Sequence, residues 1–482
     1  MVFSSPIFMF LFLPAVLGLY FVVPKQWRNT LLLGASLIFY AWGETTFIFV
    51  LLLSIVFNHI CGRIIFASLK TPRAKVTLAL AVSVNLAVLA TFKYGGFLVN
   101  DVTNPILVFL GRQPLVPWLI PLPISISFFT FHALSYLIDI YRSAAQAQRS
   151  LGTTALYITL FPQLIAGPII RYKDIAAQFI ERTVTADDFY VGVKRFSVGL
   201  GKKMLIANSV AITADQIFGL SANQLTTPIA WLGVICYTLQ IYFDFSGYSD
   251  MAIGLARMFG FRFLENFNYP YISQSVQEFW RRWHISLSNW FRDYLYIPLG
   301  GSRVSNRRTY ANLVIVFFLC GLWHGASWTF VVWGLWHGLF LVLERLGLGA
   351  LLERWPRPLR HVYTLLVVMV GWVWFRAETF SHAGSIIAAM FGFGSAGRVS
   401  VLGYLSPGLV VAIVVGVIAS APVIARWIGS AGVNAPAQPG LIGRMPGLLT
   451  GVVENGGIAI ILVLSLVQVA ADTYNPFIYF RF

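Results

Sequence analysis

Gln277-Glu278-Phe279-Trp280-Arg281-Arg282-Trp283-His284-Ile285-Ser286 opens the stretch around which this chain is organised. It continues through Arg292-Asp293-Tyr294-Leu295-Tyr296 and a basic loop ending at Arg307-Arg308. The chain then turns apolar and reaches Gly321-Leu322-Trp323-His324-Gly325, with a second Trp-His pair at Trp336-His337. Three histidines and a cluster of guanidinium groups are thus set in hydrocarbon-like sequence. A charge at the centre of a bilayer costs about 2.5–3.5 kcal/mol on insertion scales, so polar groups at that depth need a partner or a function.

Working outward, the composition decides the class. Of 482 residues, 58% are hydrophobic and only 11% are charged, and the mean hydropathy is +0.75. A soluble globule carries about 25% charged residues. Apolar runs of the ~20 residues needed to cross a bilayer recur along the whole length. Each span must satisfy its own backbone hydrogen bonds, so helices are expected, and the alternation of a barrel is absent. The expected fold is an all-α polytopic membrane protein of one domain, 1–482, with about eleven or twelve membrane segments, several too short to cross alone. The net charge of +16 would suggest nucleic acid in a soluble chain. Here the basic residues lie between apolar runs, which reads as positive-inside topology and contact with anionic lipid headgroups, and not as nucleic-acid binding. Cys61, Cys236 and Cys320 are widely spaced in apolar contexts and form neither a disulfide framework nor a metal pattern.

Taken in order, residues 7–23 read as a retained first span kinked at Pro14, with no basic n-region or cleavage site of a signal peptide. Residues 29–42, 46–66 and 76–94 follow, with the basic group Arg63, Lys70, Arg73, Lys75 marking a cytoplasmic loop. Residues 95–123, with Gly95-Gly96, Asp101 and five prolines, read as an outer loop with interfacial pieces. Residues 124–141 return to Arg142 and Arg149, and 151–170 are interrupted by Pro162 and Gly167-Pro168. Residues 187–212 mix Lys194, Arg195, Lys202 and Lys203 with apolar residues, an amphipathic pattern that lies on the membrane or dips into it and does not cross. The run 229–259 carries Gln240, Asp244, Ser246, Ser249 and Asp250 as two polar stripes at helical spacing. They either hold neighbouring helices together or line a cavity. Residues 276–300 cannot be a simple span and read as an interfacial or re-entrant helix, in which Glu278 can pair with Arg281 or Arg282. Apolar segments 309–322 and 326–344 hinge at Trp323-His324-Gly325. Residues 361–375, 406–428 and 456–470 are further spans, and 430–450 is a Gly/Pro-rich loop. No internal repeat is visible, which argues against an inverted-repeat transporter.

His324 is the first candidate for chemistry. A neutral imidazole at membrane depth can take a proton from a hydroxyl attacking an acyl thioester, and the flanking glycines allow close approach. The bland alternative is a histidine hydrogen-bonded between helices. His284 is the second candidate, beside Arg281 and Arg282, which can hold phosphates or simply anchor a helix at headgroups. His337 and His132 read as structural. Cys320 shares a helical face with His324, but buried cysteines are usually inert.

At these residues the chain resembles the membrane-bound O-acyltransferase (MBOAT) family, nearest to its bacterial polysaccharide-acetylating branch. The matching stretches are Met1–Ser5, Ile165-Ala166-Gly167-Pro168, Tyr242–Ala252, Phe279–Ser286, Arg292–Ile297, Leu322-Trp323-His324-Gly325 and Asn475-Pro476-Phe477. The Trp-Arg-Arg-Trp-His and Leu-Trp-His-Gly pair, in that order, is the specific part. The resemblance implies a ring of tilted helices around a central tunnel, with re-entrant and interfacial helices. It implies His324 as the catalytic histidine and His284 as the second one. Arg281, Arg282, Trp283, Ser286, Trp323 and Asp250 are then the candidate substrate-binding residues. It further implies acetyl-CoA as a donor substrate with no bound cofactor, an exported polysaccharide such as alginate as acceptor, a periplasmic SGNH-type acetyltransferase partner and a bacterial inner-membrane location. Cys320 departs from the glycine expected at its position and either narrows the tunnel or repacks a helix contact. The rival readings are a transporter of polysaccharide or lipid-linked glycan, and a membrane scaffold for a biosynthetic complex.

Overall fold

A computed structural model describes residues 1–395, 399–423, 447–471, 474 and 478. Every regular element among them is helical. Six helices among the described residues are long and apolar enough to cross a bilayer. Four shorter apolar ones, Phe8–Val22, Ile126–Tyr141, Phe380–Phe393 and Pro407–Ala419, accompany them. The chain is an all-α polytopic membrane protein, and it divides into two compact units. The first comprises Met1–Gly192, Ala252–Leu264 and Gly325–Ser327; the second comprises Val193–Met251, Glu265–His324 and Trp328–Phe482.

In the first unit, α1 (Phe8–Val22) and α2 (Arg28–Ala41) pack through aromatic side chains. The rings of Phe8, Phe12, Phe39 and Phe161 lie 5.5 to 6.4 Å apart. Next come α3 (Ile48–Ala67) and α4 (Pro72–Phe109). Asn58 and Asn85 join them by reciprocal amide bonds of 3.0 and 2.8 Å, the polar contact that apolar surroundings favour between helices. The outer loop expected at 95–123 therefore begins only after Phe109. A π-helical turn at Phe97–Thr103 carries the helix through Asp101. That extra residue per turn accommodates the N–H missing at Pro105. α5 (Ile126–Tyr141) and α6 (Leu151–Thr159) complete this unit's main helices.

The segment expected to lie on the membrane at 187–212 is part of a longer helix, α7 (186–218), with a π turn at Lys202–Ala207. α8 (Thr227–Met258) is the long polar-striped helix. Within the second unit the two run backbone against backbone. A Cβ on Gly199 would stand 2.6 Å from the Gly247 carbonyl oxygen, and one on Gly247 would stand 2.7 Å from that of Gly199. This approach brings the basic face of α7 to the carboxylates of α8. Lys203 pairs with Asp244 at 2.8 Å, Lys202 with Asp250 at 2.6 Å and Arg195 with Asp250 at 2.7 Å. Arg195 also pairs with Glu265. Of the two readings of the polar stripes, these pairs carry the one in which they hold helices together.

The stretch 276–300 forms two short helices, α9 (Val276–Arg282) and α10 (Ile285–Phe291), and a π turn at Arg292–Tyr296. α11 (Asn306–His324) and α12 (Trp328–Leu343) follow as an antiparallel hairpin. α13 (Arg357–Arg376), α14 (Phe380–Ala388), α15 (Pro407–Ala419) and α16 (Gly447–Ala470) close the unit. The span expected at 406–428 is a helix to Ala419. The loop expected at 430–450 lies outside the described residues up to 446, as do Asn475-Pro476-Phe477.

Candidate active site

The break between α9 and α10 builds half of the site. Ser275 caps α9, its hydroxyl accepting from the Glu278 N–H at 3.0 Å, and the Glu278 carboxylate accepts from the Gln274 N–H at 2.9 Å. This is the Ser-x-x-Glu signature of a helix start. Glu344 then accepts from the N–H groups of Val276 at 2.7 Å and Gln277 at 3.0 Å, and from the Tyr363 hydroxyl at 3.2 Å. The otherwise orphaned donors of the first turn are thereby satisfied. The helix ends at Trp283, whose backbone is extended, and His284, whose backbone is left-handed with φ 43° and ψ 54°.

Such a conformation in a residue with a side chain costs of order 1–3 kcal/mol and persists only when its surroundings impose it. Here the connection 266–268 imposes it. The Asn268 N–H donates to the Arg282 carbonyl and the Ile285 N–H donates to the Asn266 carbonyl, both at 2.9 Å. The Asn266 side chain then reaches Nδ1 of His284 at 3.1 Å, the Ser286 N–H at 3.2 Å and the Ser286 hydroxyl at 2.9 Å. His284 is wholly buried. It lies in no candidate span, and burial holds its imidazole pKa down to about 3. It is therefore neutral at physiological pH.

The other half is the α11–α12 hairpin. Gly321 and Gly334 face each other, and a Cβ on either would collide with a backbone carbonyl of the opposite helix, Phe330 or Phe317. This contact fixes the end of α11, where His324 stands. Its ring packs on Trp323 at 4.8 Å, Trp333 at 4.8 Å and Phe375 at 5.2 Å. The Trp323 ring lies 6.2 Å from His284, so both histidines neighbour one indole. His324 retains 7% of its surface, whereas His284 and His337 retain none. Of the three imidazoles it is the one a substrate can reach with least movement.

The expected site residues divide accordingly. His324, His284, Trp323 and Ser286 come together, and Trp283 joins through Phe267, whose ring lies 5.0 Å away. Arg281 is exposed. Arg282 is held by Glu278 at 2.9 Å and by the Asn268 carbonyl at 3.1 Å. Asp250 has both carboxylate oxygens in ion pairs. Cys320 is buried on α11.

One residue, Asn266, escaped the sequence reading. It carries no sequence signal, being one asparagine in an irregular connection. His337, read as structural, belongs to the same aromatic array, 5.3 Å from Trp333 and 5.2 Å from Trp280. A cavity of about 490 Å³ opens at the start of α9, among Glu278, Glu344, Arg345, Glu353 and Arg360. None of the histidines lines it. No cluster of His, Cys, Asp and Glu able to hold a metal occurs among the described residues.

The profile of MBOAT, the membrane-bound O-acyltransferase family, matches residues 104–380. The chain is 46% identical over 502 aligned positions to a protein of Azotobacter vinelandii named "Probable alginate O-acetylase AlgI", covering all of both chains. It is 44% identical to the protein of that name in Pseudomonas aeruginosa, again over the whole of both. A "Peptidoglycan O-acetyltransferase" of Helicobacter pylori is 35% identical over 81% of this chain and 80% of its own. With the family profile spanning more than half the chain and full-length relatives above 40% identity, the chain belongs to the membrane-bound O-acyltransferase family and is an O-acyltransferase.

Proposed function

We propose that this enzyme O-acetylates an exported polysaccharide, alginate or a related polymer, at the bacterial inner membrane, with acetyl-CoA as the cytoplasmic donor. The observation that carries the reading is that His284 and His324 neighbour the same indole, Trp323, His284 wholly buried and His324 keeping a little exposed surface. The likeness along the whole chain to proteins named for alginate O-acetylation supports the acceptor class. The acetyl group passes to the polymer directly or through a periplasmic SGNH-type acetyltransferase.

In the transfer step the acceptor hydroxyl oxygen attacks the thioester carbonyl carbon and the C–S bond breaks. His324 takes the hydroxyl proton and returns it to the departing coenzyme A sulfur, leaving an acetyl ester and free thiol. The balance requires no covalent enzyme intermediate. His284 orients the thioester or assists the proton transfer. Arg281, exposed on α9, meets the donor's phosphates, while Arg282 is engaged with Glu278. The enzyme gains mainly by holding two reactants in line, a factor worth up to about 7–11 kcal/mol in well-oriented systems.

The test is transfer of radiolabelled acetyl from acetyl-CoA in membranes containing the wild-type chain, with candidate polymers and partner proteins supplied. Label entering polymer or partner supports the reading; no movement of label under any of these conditions refutes it.

A further inference from the structure

The hydrogen bonds around Asn266 determine which nitrogen of His284 carries the proton. The Ser286 N–H is an unambiguous donor, and it points at Asn266 Oδ1 from 3.2 Å. The Ser286 hydroxyl adds a second bond to the same oxygen at 2.9 Å. On the opposite side, Asn266 Nδ2 donates to the Ser249 hydroxyl of α8 at 2.9 Å. The amide is therefore oriented with its oxygen towards His284. An amide oxygen only accepts, so the imidazole nitrogen 3.1 Å from it must be a donor.

We propose that Asn266 is a positioning residue that locks His284 as the Nδ1–H tautomer, so that His284 acts through the lone pair of Nε2 as a hydrogen-bond acceptor. This rests on the acetyl-transfer reading and decides between the two roles open to His284 within it. A neutral ring with the proton on Nδ1 has no N–H at Nε2 with which to polarise a thioester carbonyl. It can instead accept a hydrogen bond from the incoming hydroxyl and hold it in place while that one proton passes to His324. Three observations besides the hydrogen bonds agree. The left-handed backbone at His284 is imposed by the same connection that carries Asn266. Asn266 is 1% exposed, so water does not compete for its oxygen. Phe245 meets the imidazole edge-on at 4.6 Å and restricts ring rotation. Around the ring stand Phe245 of α8, Phe267 of the connection and Trp323 of α11. None of these titrates, and Asp250, the next carboxylate on α8, is bound to Arg195 and Lys202.

The tautomer is measurable without activity. The full chain, labelled with 15N-histidine and held in lipid, gives spectra in which the His284 signals are those lost in His284→Gln. The expected pattern is a protonated Nδ1 and an unprotonated Nε2 in the wild type, becoming mixed in Asn266→Ala. A protonated Nε2 in the wild type would overturn the proposal. In acetyl transfer, Asn266→Ala is expected to lower kcat roughly 10- to 100-fold, within what positioned proton transfer contributes, with KM for acetyl-CoA within about twofold of wild type.

Asn266→Asp keeps the shape and still accepts from Nδ1, but its charge stabilises the imidazolium. It should retain activity at high pH and lose it as pH falls, moving the acid limb of the profile upward. A merely structural asparagine would move no such limb. Unchanged kcat in Asn266→Ala, or an unmoved profile in Asn266→Asp, contradicts the proposal. A wild-type chain that transfers no acetyl refutes the functional reading instead, and the spectra still report the tautomer.

Discussion

Lys203 and Asp244 form an ion pair 2.8 Å long, with side chains only 2% and 1% exposed. Asp244 Oδ2 also accepts from the Ile478 N–H at 2.8 Å. Removing one partner of such a pair leaves a buried, uncompensated charge, which costs about 3–5 kcal/mol. Lys203→Met is therefore expected to lower the thermal stability of the detergent-purified protein sharply. The double variant Lys203→Met with Asp244→Leu should recover much of the loss. A single variant as stable as wild type would mean that the pair does not tie α7 to α8.

Gly334 makes a second prediction. Its substitution by alanine puts a methyl group into the Phe317 carbonyl, and overpacking of this kind costs about 1–3 kcal/mol. The hairpin must open, displacing His324, so acetyl transfer should fall more than stability does. Gly18, with nothing within 4 Å of its Cβ position, is the control: Gly18→Ala should leave both unchanged. Equal behaviour of the two variants would contradict the packing argument.

Glu344 anchors the start of α9 through two backbone donors and a tyrosine. Glu344→Ala strands those donors at about 1–3 kcal/mol for a buried unsatisfied group. Amide hydrogen exchange at 275–283 should accelerate while exchange in α8 stays slow. Unaltered exchange over 275–283 would show that the Ser275 cap suffices.

Arg281 and Arg282 should separate. Arg281→Ala is expected to raise KM for acetyl-CoA several-fold, with a smaller effect at high salt, because screening already weakens an exposed contact. Arg282→Ala instead frees Glu278 and the Asn268 carbonyl, so it should reduce the folded fraction with little change in KM. The reverse pattern would assign the phosphates to Arg282.

Much of this was legible in the chain because periodicity and polarity change abruptly at membrane depth. Charged residues at Glu278, Arg281 and Arg282 rule out a simple span, and the structure has two short helices there. Trp323-His324-Gly325 marks a hinge because apolar runs stop on both sides of it; the break falls at 325–327, since α11 runs on through Trp323 to His324 and α12 starts at Trp328. What escaped is tertiary. Nothing local pairs Lys203 with Asp244, which stand far apart in sequence and meet only because two glycines let α7 and α8 touch. The cationic partners of Asp250, Arg195 and Lys202, are invisible in the sequence for the same reason. Asn266 lies 18 residues from His284 in a connection with no period at all. The outer loop is shorter than Gly95-Gly96, Asp101 and the prolines imply, because a π turn carries the helix through Asp101.

The central claim is that His324 is the base of acetyl transfer, and the most direct measurement is label transfer from acetyl-CoA by His324→Ala with membrane level and thermal stability matched to wild type. Positioned proton transfer contributes roughly 10²- to 10⁴-fold, so the account expects the rate to fall by at least about a hundredfold while the protein remains folded. A folded His324→Ala enzyme that transfers acetyl at the wild-type rate would contradict it.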